Sequence, residues 1–231
     1  MRREHPEHPA RDPREARPRS FMPSSGDEIK DLIGVVDPVG RATACFLATY
    51  RLAEICADDR FADAYDTGPE VFAAVLATSE ALAMGRDEAA TALDGLRGRL
   101  EELLGPPGEE FEEPESAGGP WFCDAVSVAA YTIAAWLTPG TSAELCRDAL
   151  GRVDSAVDFL DRDLAENRPE GWSGFLEPSL SDRELDRQRA DLRALLGASE
   201  DYRGPIVAEL MDASRGLQRR YSEAFQAVTR G

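Results

Sequence analysis

The chain has 231 residues, of which 42% are hydrophobic, and its formal net charge is −18. This length and apolar content suffice for one substantial domain or two small ones with a hydrophobic core. The acidic charge disfavours binding to nucleic acid and to anionic membranes, and it favours basic partners.

Histidine is confined to the N-terminal end, where His5 and His8 occur. Histidine is the usual proton shuttle near neutral pH and the commonest metal ligand. The rest of the chain therefore lacks the residues for Ser-His-Asp or Cys-His catalysis, His-ligated zinc and a Glu-x-x-His di-iron bundle. We expect no cofactor and no metal, and we favour a non-enzymatic role over catalysis.

Residues 1–25 are rich in proline, arginine and glutamate and have scarcely any apolar side chain to bury. This composition predicts a disordered Arg/Pro-rich arm, followed by one acidic helical-bundle domain over residues 26–231. The arm lacks the apolar region of a signal peptide. The most apolar stretch, residues 121–137, contains Asp124 and is too short and too polar for a membrane span. We therefore predict a cytoplasmic protein with no membrane partner.

The N-terminal half of the domain contains a series of helix signals. Ser25-Gly-Asp-Glu28 has the pattern of a capping box, and Asp37 is placed to cap a second helix with Pro38 at its first position. Apolar residues at 3–4 residue spacing then predict helices over residues 38–56, 60–66, 71–85 and 88–104.

The C-terminal half continues this pattern. Pro120 begins a helix that is apolar on almost every side, and capping boxes at Thr141 and Ser181 open two more helices. The last helix begins at Pro205, and its apolar seam up to Val228 is suited to packing against a neighbouring helix or a second copy of the chain. The predicted fold is all-α, a single-domain bundle of about eight or nine helices.

The four cysteines are Cys45, Cys56, Cys123 and Cys146, and none forms a C-x-x-C motif. Each lies among apolar residues in a predicted helix, where a free cysteine behaves as a small hydrophobic residue. We expect free, buried thiols rather than disulfides or a catalytic cysteine.

Three stretches carry a resemblance to a known family. They are ATACFLATYRLAEICADDRF at residues 42–61, residues 121–161 with Cys-Asp-Ala at 123–125, and DRELDRQRADLRALL at residues 182–196. Over roughly residues 38–225 the chain resembles the YjaG-like family of uncharacterised bacterial proteins. The resemblance implies an all-helical bacterial protein and implies no activity. The N-terminal arm and the acidic segment at residues 109–115 look like departures from the family.

An acidic segment is the first candidate functional feature. The candidate contact residues are Glu109, Glu110, Phe111, Glu112 and Glu113, together with Trp172 from a later Pro/Gly-rich loop. Their charge and exposed aromatic groups would suit the docking of a basic protein, in the manner of an immunity or inhibitor protein. A solvated acidic loop is the alternative. This docking is our leading sequence-based hypothesis.

A polar stripe on the apolar helix is the second candidate. Asp124, Ser127 and Tyr131 lie at positions i, i+3 and i+7 of that helix. The stripe predicts a pocket for a small ligand, or a carboxylate-dependent enzyme site. The structural alternative is an ion pair between Asp124 and an arginine of another helix, for example Arg51 or Arg189.

A row of aspartates follows on the long helix at Asp154, Asp158 and Asp161. We interpret this row as a solvated face. Carboxylates of this kind on paired helices can hold Mg²⁺ for pyrophosphate hydrolysis, with Glu209 and Asp212 as the partners here. The E-x-x-E pairs such a site needs occur only within residues 109–113, so this alternative is disfavoured.

Overall fold

The computed structural model describes residues 25–105, 118–166, 178–199 and 202–229. These ranges contain nine α-helices, two short 3₁₀ helices and no strand, so the predicted all-α bundle is confirmed. The α-helices are α1 (Ser25–Val35), α2 (Pro38–Arg51), α3 (Asp59–Ala64), α4 (Gly68–Ala83), α5 (Leu93–Leu104), α6 (Gly119–Leu137), α7 (Ser142–Glu166), α8 (Leu180–Leu196) and α9 (Arg203–Thr229).

Helices α2 and α6 form the centre of the bundle. Helix α6 packs against α2, α5 and α7, and α2 also contacts α4, α8 and α9. Side chains from opposite sides of α6, such as Phe122, Val126 and Val128, are all buried. This burial explains the nearly continuous apolar surface of α6, because a helix packed on several sides needs no polar face.

The apolar seam of α9 is covered within the chain. Val207, Leu210, Tyr221 and Phe225 are buried, and α9 contacts α2, α7 and α8. The seam is therefore already used for intramolecular packing. Assembly of two copies through this helix stays a prediction.

Local capping is partly as predicted. Asp37 Oδ1 accepts the backbone N–H of Gly40 at 2.6 Å, as its position before Pro38 indicates. The capping box predicted at Ser181 is wrong, because α8 begins at Leu180 and Ser179 is its N-cap. Ser179 Oγ accepts the N–H of Asp182 at 3.0 Å.

The start of α8 is also held by the preceding long helix. Asp161 of α7 accepts the backbone N–H groups of Leu180 and Ser181 at 3.2 and 2.9 Å. Asp154 accepts a hydrogen bond from the Ser181 hydroxyl at 3.1 Å. Two of the three aspartates interpreted as a solvated face are thus fixed against α8, where a carboxylate complements the helix dipole.

The cysteines are free thiols in the structure, as predicted. Cys45, Cys56 and Cys146 are buried, whereas Cys123 is half-buried. The hydrogen bond with Cys146, together with burial, raises the pKa of the Cys45 thiol well above its ordinary value. Burial also raises the pKa of the Cys56 thiol, so Cys45 and Cys56 are poor nucleophiles.

Within the described ranges, no single helix combines the length and apolar composition that a membrane crossing requires. Helix α6 and the segment from Pro139 to Glu166 meet that test only when they are taken together, and they are bent by 118° relative to each other.

A polar cluster fastens α3 to the end of α9. Asp58 Oδ1 accepts from the Arg60 Nε at 2.7 Å and from the backbone N–H of Arg60 at 3.0 Å, and Gln226 also donates to Asp58. The guanidinium of Arg60 lies 4.9 Å from the centroid of the Phe225 ring. Hydrogen bonding from Arg60, followed by smaller contributions that include Gln226, holds the pKa of Asp58 well below its ordinary range.

We expect Asp58→Asn to lower the free energy of unfolding by about 1–3 kcal/mol at pH 7, because it removes a hydrogen-bonded charge. Asparagine can still cap α3 through its one oxygen, so the loss comes from the charge and from the second acceptor oxygen, Oδ2, to which Arg60 and Gln226 donate. Because the pKa of Asp58 is lower in the folded state than in the unfolded state, ionised Asp58 stabilises the fold at pH values above its unfolded pKa of about 3.9. This stabilisation is lost as the pH falls from that value toward the folded pKa. The difference between variant and wild type in urea denaturation should therefore shrink below about pH 4. A pH-independent difference would contradict the assignment.

Candidate functional site

An open groove of about 630 Å³ lies between α6 and α7. Helix α6 contributes Pro120, Trp121, Asp124 and Tyr131 to its wall. Asp124 and Tyr131 come from the polar stripe predicted on this helix. Ser127, the third residue of that stripe, is half-buried and is not among the residues that line the groove.

Helix α7 contributes the opposite wall. Its lining residues recur every three or four positions, so they share one helix face. They include Arg147, Gly151, Arg152, Ser155, Phe159 and Arg162. The intervening residues, among them Val153, Ala156 and Leu160, are buried in the core. The amphipathic pattern of α7 therefore fixes this polar and aromatic face toward solvent.

An ion pair joins the two walls. Arg152 Nη1 donates to Asp124 Oδ1 at 2.8 Å, and the two side chains are 41% and 22% exposed. Partial desolvation lowers the pKa of Arg152. The hydrogen bond and charge of Asp124, with a smaller contribution from Tyr131, raise it by more, so the pKa of Arg152 lies above its ordinary value. Asp124 thus orients a permanently charged guanidinium.

The partner of Asp124 differs from the two arginines considered in the sequence. Arg51 is committed to Glu184 and Asp191 in the core, and Arg189 forms an ion pair with Asp186. The sequence could not identify Arg152, because that choice depends on how α7 packs against α6. Paired with Arg152, Asp124 positions a hydrogen-bond donor in the groove.

Aromatic side chains form the floor at one end of the groove. The Trp121 and Phe159 ring centroids lie 5.6 Å apart, and the Arg162 guanidinium is 5.7 Å from the centroid of Phe159. An edge contact with Phe225 at 5.7 Å fixes the indole of Trp121. Phe159 remains 44% exposed, so this rigid surface is open to a ligand.

Two polar groups of the groove lack a partner within the described part of the chain. Arg147 forms no ion pair there, and the indole Nε1 of Trp121 is buried without a hydrogen-bond acceptor. Trp121 is 9% exposed. A buried N–H group without an acceptor is unfavourable, but the Nε1 atom itself is not exposed to the groove. The exposed donor without an ion pair among the described residues is Arg147.

The predicted docking residues fall in two segments that the structure does not describe. Glu109, Glu110, Phe111, Glu112, Glu113 and Trp172 lie outside the described residues. Among the residues that are described, no group of three or more His, Cys, Asp or Glu side chains is placed to hold a metal ion.

A second polar cluster, which sequence reasoning missed, lies inside the bundle. We call it the Arg51 network, and it comprises Arg51, Glu184, Gln188, Asp191 and Tyr221. Every member is buried. Arg51 donates to Glu184 at 2.7 and 3.1 Å and to Asp191 at 2.8 Å.

The remaining members complete this network. The Tyr221 hydroxyl donates to Glu184 at 2.7 Å, and Gln188 donates to Glu184 and to the carbonyl of Leu150 at 2.9 and 3.0 Å. Arg187 pairs with Asp191 from the edge. Because Arg51 is fully enclosed, the network serves to join α2, α8 and α9 rather than to bind a ligand. One signal was available in the sequence: Glu184, Gln188 and Asp191 occupy the 3–4 spacing between Leu180 and Leu195.

No family model matches this chain, and neither a curated protein nor a solved structure shows significant similarity to it. The resemblance to the YjaG-like family therefore stays a prediction.

Proposed function

We propose that this protein binds a small molecule in the groove between α6 and α7. One observation carries the proposal: an oriented guanidinium, a second guanidinium without an ion pair among the described residues, hydroxyl groups and a rigid aromatic surface converge in a single concavity. Ligand sites in proteins typically combine an apolar wall with a few placed polar groups. It retains the pocket hypothesis for Asp124, Ser127 and Tyr131, with Ser127 outside the residues that line the groove.

Folding alone does not require this arrangement. The Asp124–Arg152 ion pair is partly exposed, and exposed pairs contribute about 0–1 kcal/mol to stability. Phe159 could be buried more completely in a purely structural contact. A site that keeps aromatic and charged groups open in one concavity is better explained by ligand recognition.

The docking of a basic protein stays a separate prediction. It rests on the net charge of −18 and on an acidic segment outside the described residues. The cytoplasmic location likewise stays a prediction. A pull-down washed at low and high salt tests the docking hypothesis, because electrostatic association weakens as salt screens the charges.

Gly151 allows the groove to be closed without disturbing the core. It lies on the groove face of α7, and a Cβ atom at this position would meet nothing within 4 Å. We expect Gly151→Trp to fold normally and to occupy the groove. Gly216→Trp is the matched control, because Gly216 is an exposed glycine of α9 with equally open surroundings.

The measurement is the melting temperature in a chemically diverse library of small anions, cations and neutral compounds. A ligand at 100 times its Kd stabilises by about 2.7 kcal/mol, which raises Tm on the order of 5–10 °C for a chain of this size. Compounds that stabilise the wild type and Gly216→Trp should leave Gly151→Trp unshifted. If every stabilising compound acts equally on Gly151→Trp, the groove is not the binding site and the proposal fails.

A further inference from the structure

We infer that the groove recognises an organic anion, with a carboxylate attached to a flat aromatic body. This inference rests on the proposed function and names the ligand class for the same site. It is argued from the charges, the unused donors and the aromatic surface of the groove.

The charge of the groove contrasts with that of the whole chain. Three arginines line it, Arg147, Arg152 and Arg162, together with the carboxylates of Asp124 and Asp148. Arg152 is paired with Asp124, and Arg162 is paired with Asp158 of the same helix. The whole chain carries −18, whereas the guanidinium groups and carboxylates at the groove balance one another. A charge-balanced concavity in an acidic surface repels anions less than the rest of the molecule does.

The two arginines differ in their contacts: Asp124 orients Arg152, whereas Arg147 has no ion pair among the described residues and can bind an anion directly. Asp124 accepts from Arg152 Nη1 at 2.8 Å, and Tyr131 also interacts with this guanidinium, which has five N–H donors in a fixed plane. A carboxylate is the ligand that matches such a planar fork, because it accepts two parallel N–H bonds.

The aromatic floor indicates the body of the ligand. Trp121 and Phe159 form a tilted ring pair at 5.6 Å that Phe225 holds from beneath. The Trp121 Nε1–H group is itself buried and has no acceptor among the described residues, so the accessible part of this surface is the ring of Phe159. A flat aromatic ring stacked on Phe159, with its carboxylate toward the arginines, would satisfy the apolar surface and the donors together.

Titration of the ¹⁵N-labelled protein with 2-naphthoate, followed in ¹H–¹⁵N correlation spectra, tests this inference directly. The chain has three tryptophans, so the indole N–H peak of Trp121 is assigned as the peak lost in Trp121→Phe. We expect 2-naphthoate to shift this peak saturably. The uncharged 2-naphthamide, which has the same ring, should bind about ten-fold or more weakly, because charge-assisted hydrogen bonds are the stronger ones.

Arg147→Gln should weaken 2-naphthoate about ten-fold or more and leave 2-naphthamide unchanged. Arg219→Gln is the matched control, since Arg219 is an exposed arginine of α9 without an ion pair among the described residues. Equal affinity for acid and amide, no effect of Arg147→Gln, or no shift of the Trp121 peak would each overturn the inference. Preferential binding of 2-naphthylmethylammonium would overturn it in favour of a cationic ligand at Asp148.

The two proposals fail in different ways. Suppose that Gly151→Trp abolishes the binding of some compounds, but that all of these compounds are neutral or cationic. The anion inference then fails, and the groove remains a ligand site. If no binding depends on Gly151, the groove itself is excluded and both proposals fail.

Discussion

Replacing Arg51 with methionine is expected to lower the free energy of unfolding by about 3–5 kcal/mol, the usual effect of removing one partner of a buried ion pair. The Arg51 side chain is fully buried between Glu184 and Asp191. Its removal leaves two carboxylates in the core with only Gln188, Tyr221 and the peripheral Arg187 as donors. The penalty comes from these uncompensated charges rather than from the lost attraction.

Urea denaturation of single and combined variants checks this explanation. The triple variant Arg51→Met, Glu184→Gln and Asp191→Leu removes all three charges, and we expect it to recover most of the lost stability. Arg152→Met is the control for an exposed pair and should lower stability by about 1 kcal/mol or less. A triple variant as unstable as Arg51→Met would show that packing, and not uncompensated charge, dominates.

Gly118→Ala is the second substitution expected to have a large effect. Gly118 precedes α6 with φ at 107°, a backbone conformation that costs a residue with a side chain about 1–2 kcal/mol. A Cβ atom there would lie 2.7 Å from Phe225 Cζ and 3.2 Å from Phe122 Cε2. Overpacking a core adds about 1–3 kcal/mol, so we expect a total loss of about 2–5 kcal/mol.

Gly85→Ala separates the two contributions. Gly85 also has a positive φ, 78°, but a Cβ atom there would meet nothing within 4 Å. We expect a loss of about 1–2 kcal/mol for this variant, the backbone contribution alone. Adding Phe225→Leu to Gly118→Ala should show favourable coupling in a double-mutant cycle, because the smaller side chain relieves the clash. Equal losses at Gly118 and Gly85 would contradict the contact argument.

The helices could be predicted because their signals are local. Pro38 after Asp37, Pro120, the glycines after α4 and α8, and the 3–4 apolar spacing lie within a few residues of the structure they specify. Errors occurred where local signals compete. Ser181 and Glu184 match a capping box, yet Ser179 caps α8 and Glu184 turns inward to Arg51.

The candidate site could be predicted only on the α6 side. Asp124 and Tyr131 stand out because they interrupt an otherwise apolar helix. Ser127 belongs to the same i, i+3, i+7 pattern but does not line the groove. The α7 side was missed, because Arg147, Gly151 and Arg152 have the composition of any exposed helix face. Only the packing of α7 against α6 places that face opposite Trp121 and Asp124.

The sequence by itself determined the all-α class, the approximate helix positions and the mostly buried thiols, since these follow from spacing and capping within single segments. Only the tertiary structure decided which of 25 arginines meets which carboxylate. Arg51 reaches Glu184 across 133 positions, and Arg152 reaches Asp124 across 28. Arginines are alike in sequence, and the desolvation and geometry that distinguish a core ion pair from a groove ion pair exist only once the helices have packed.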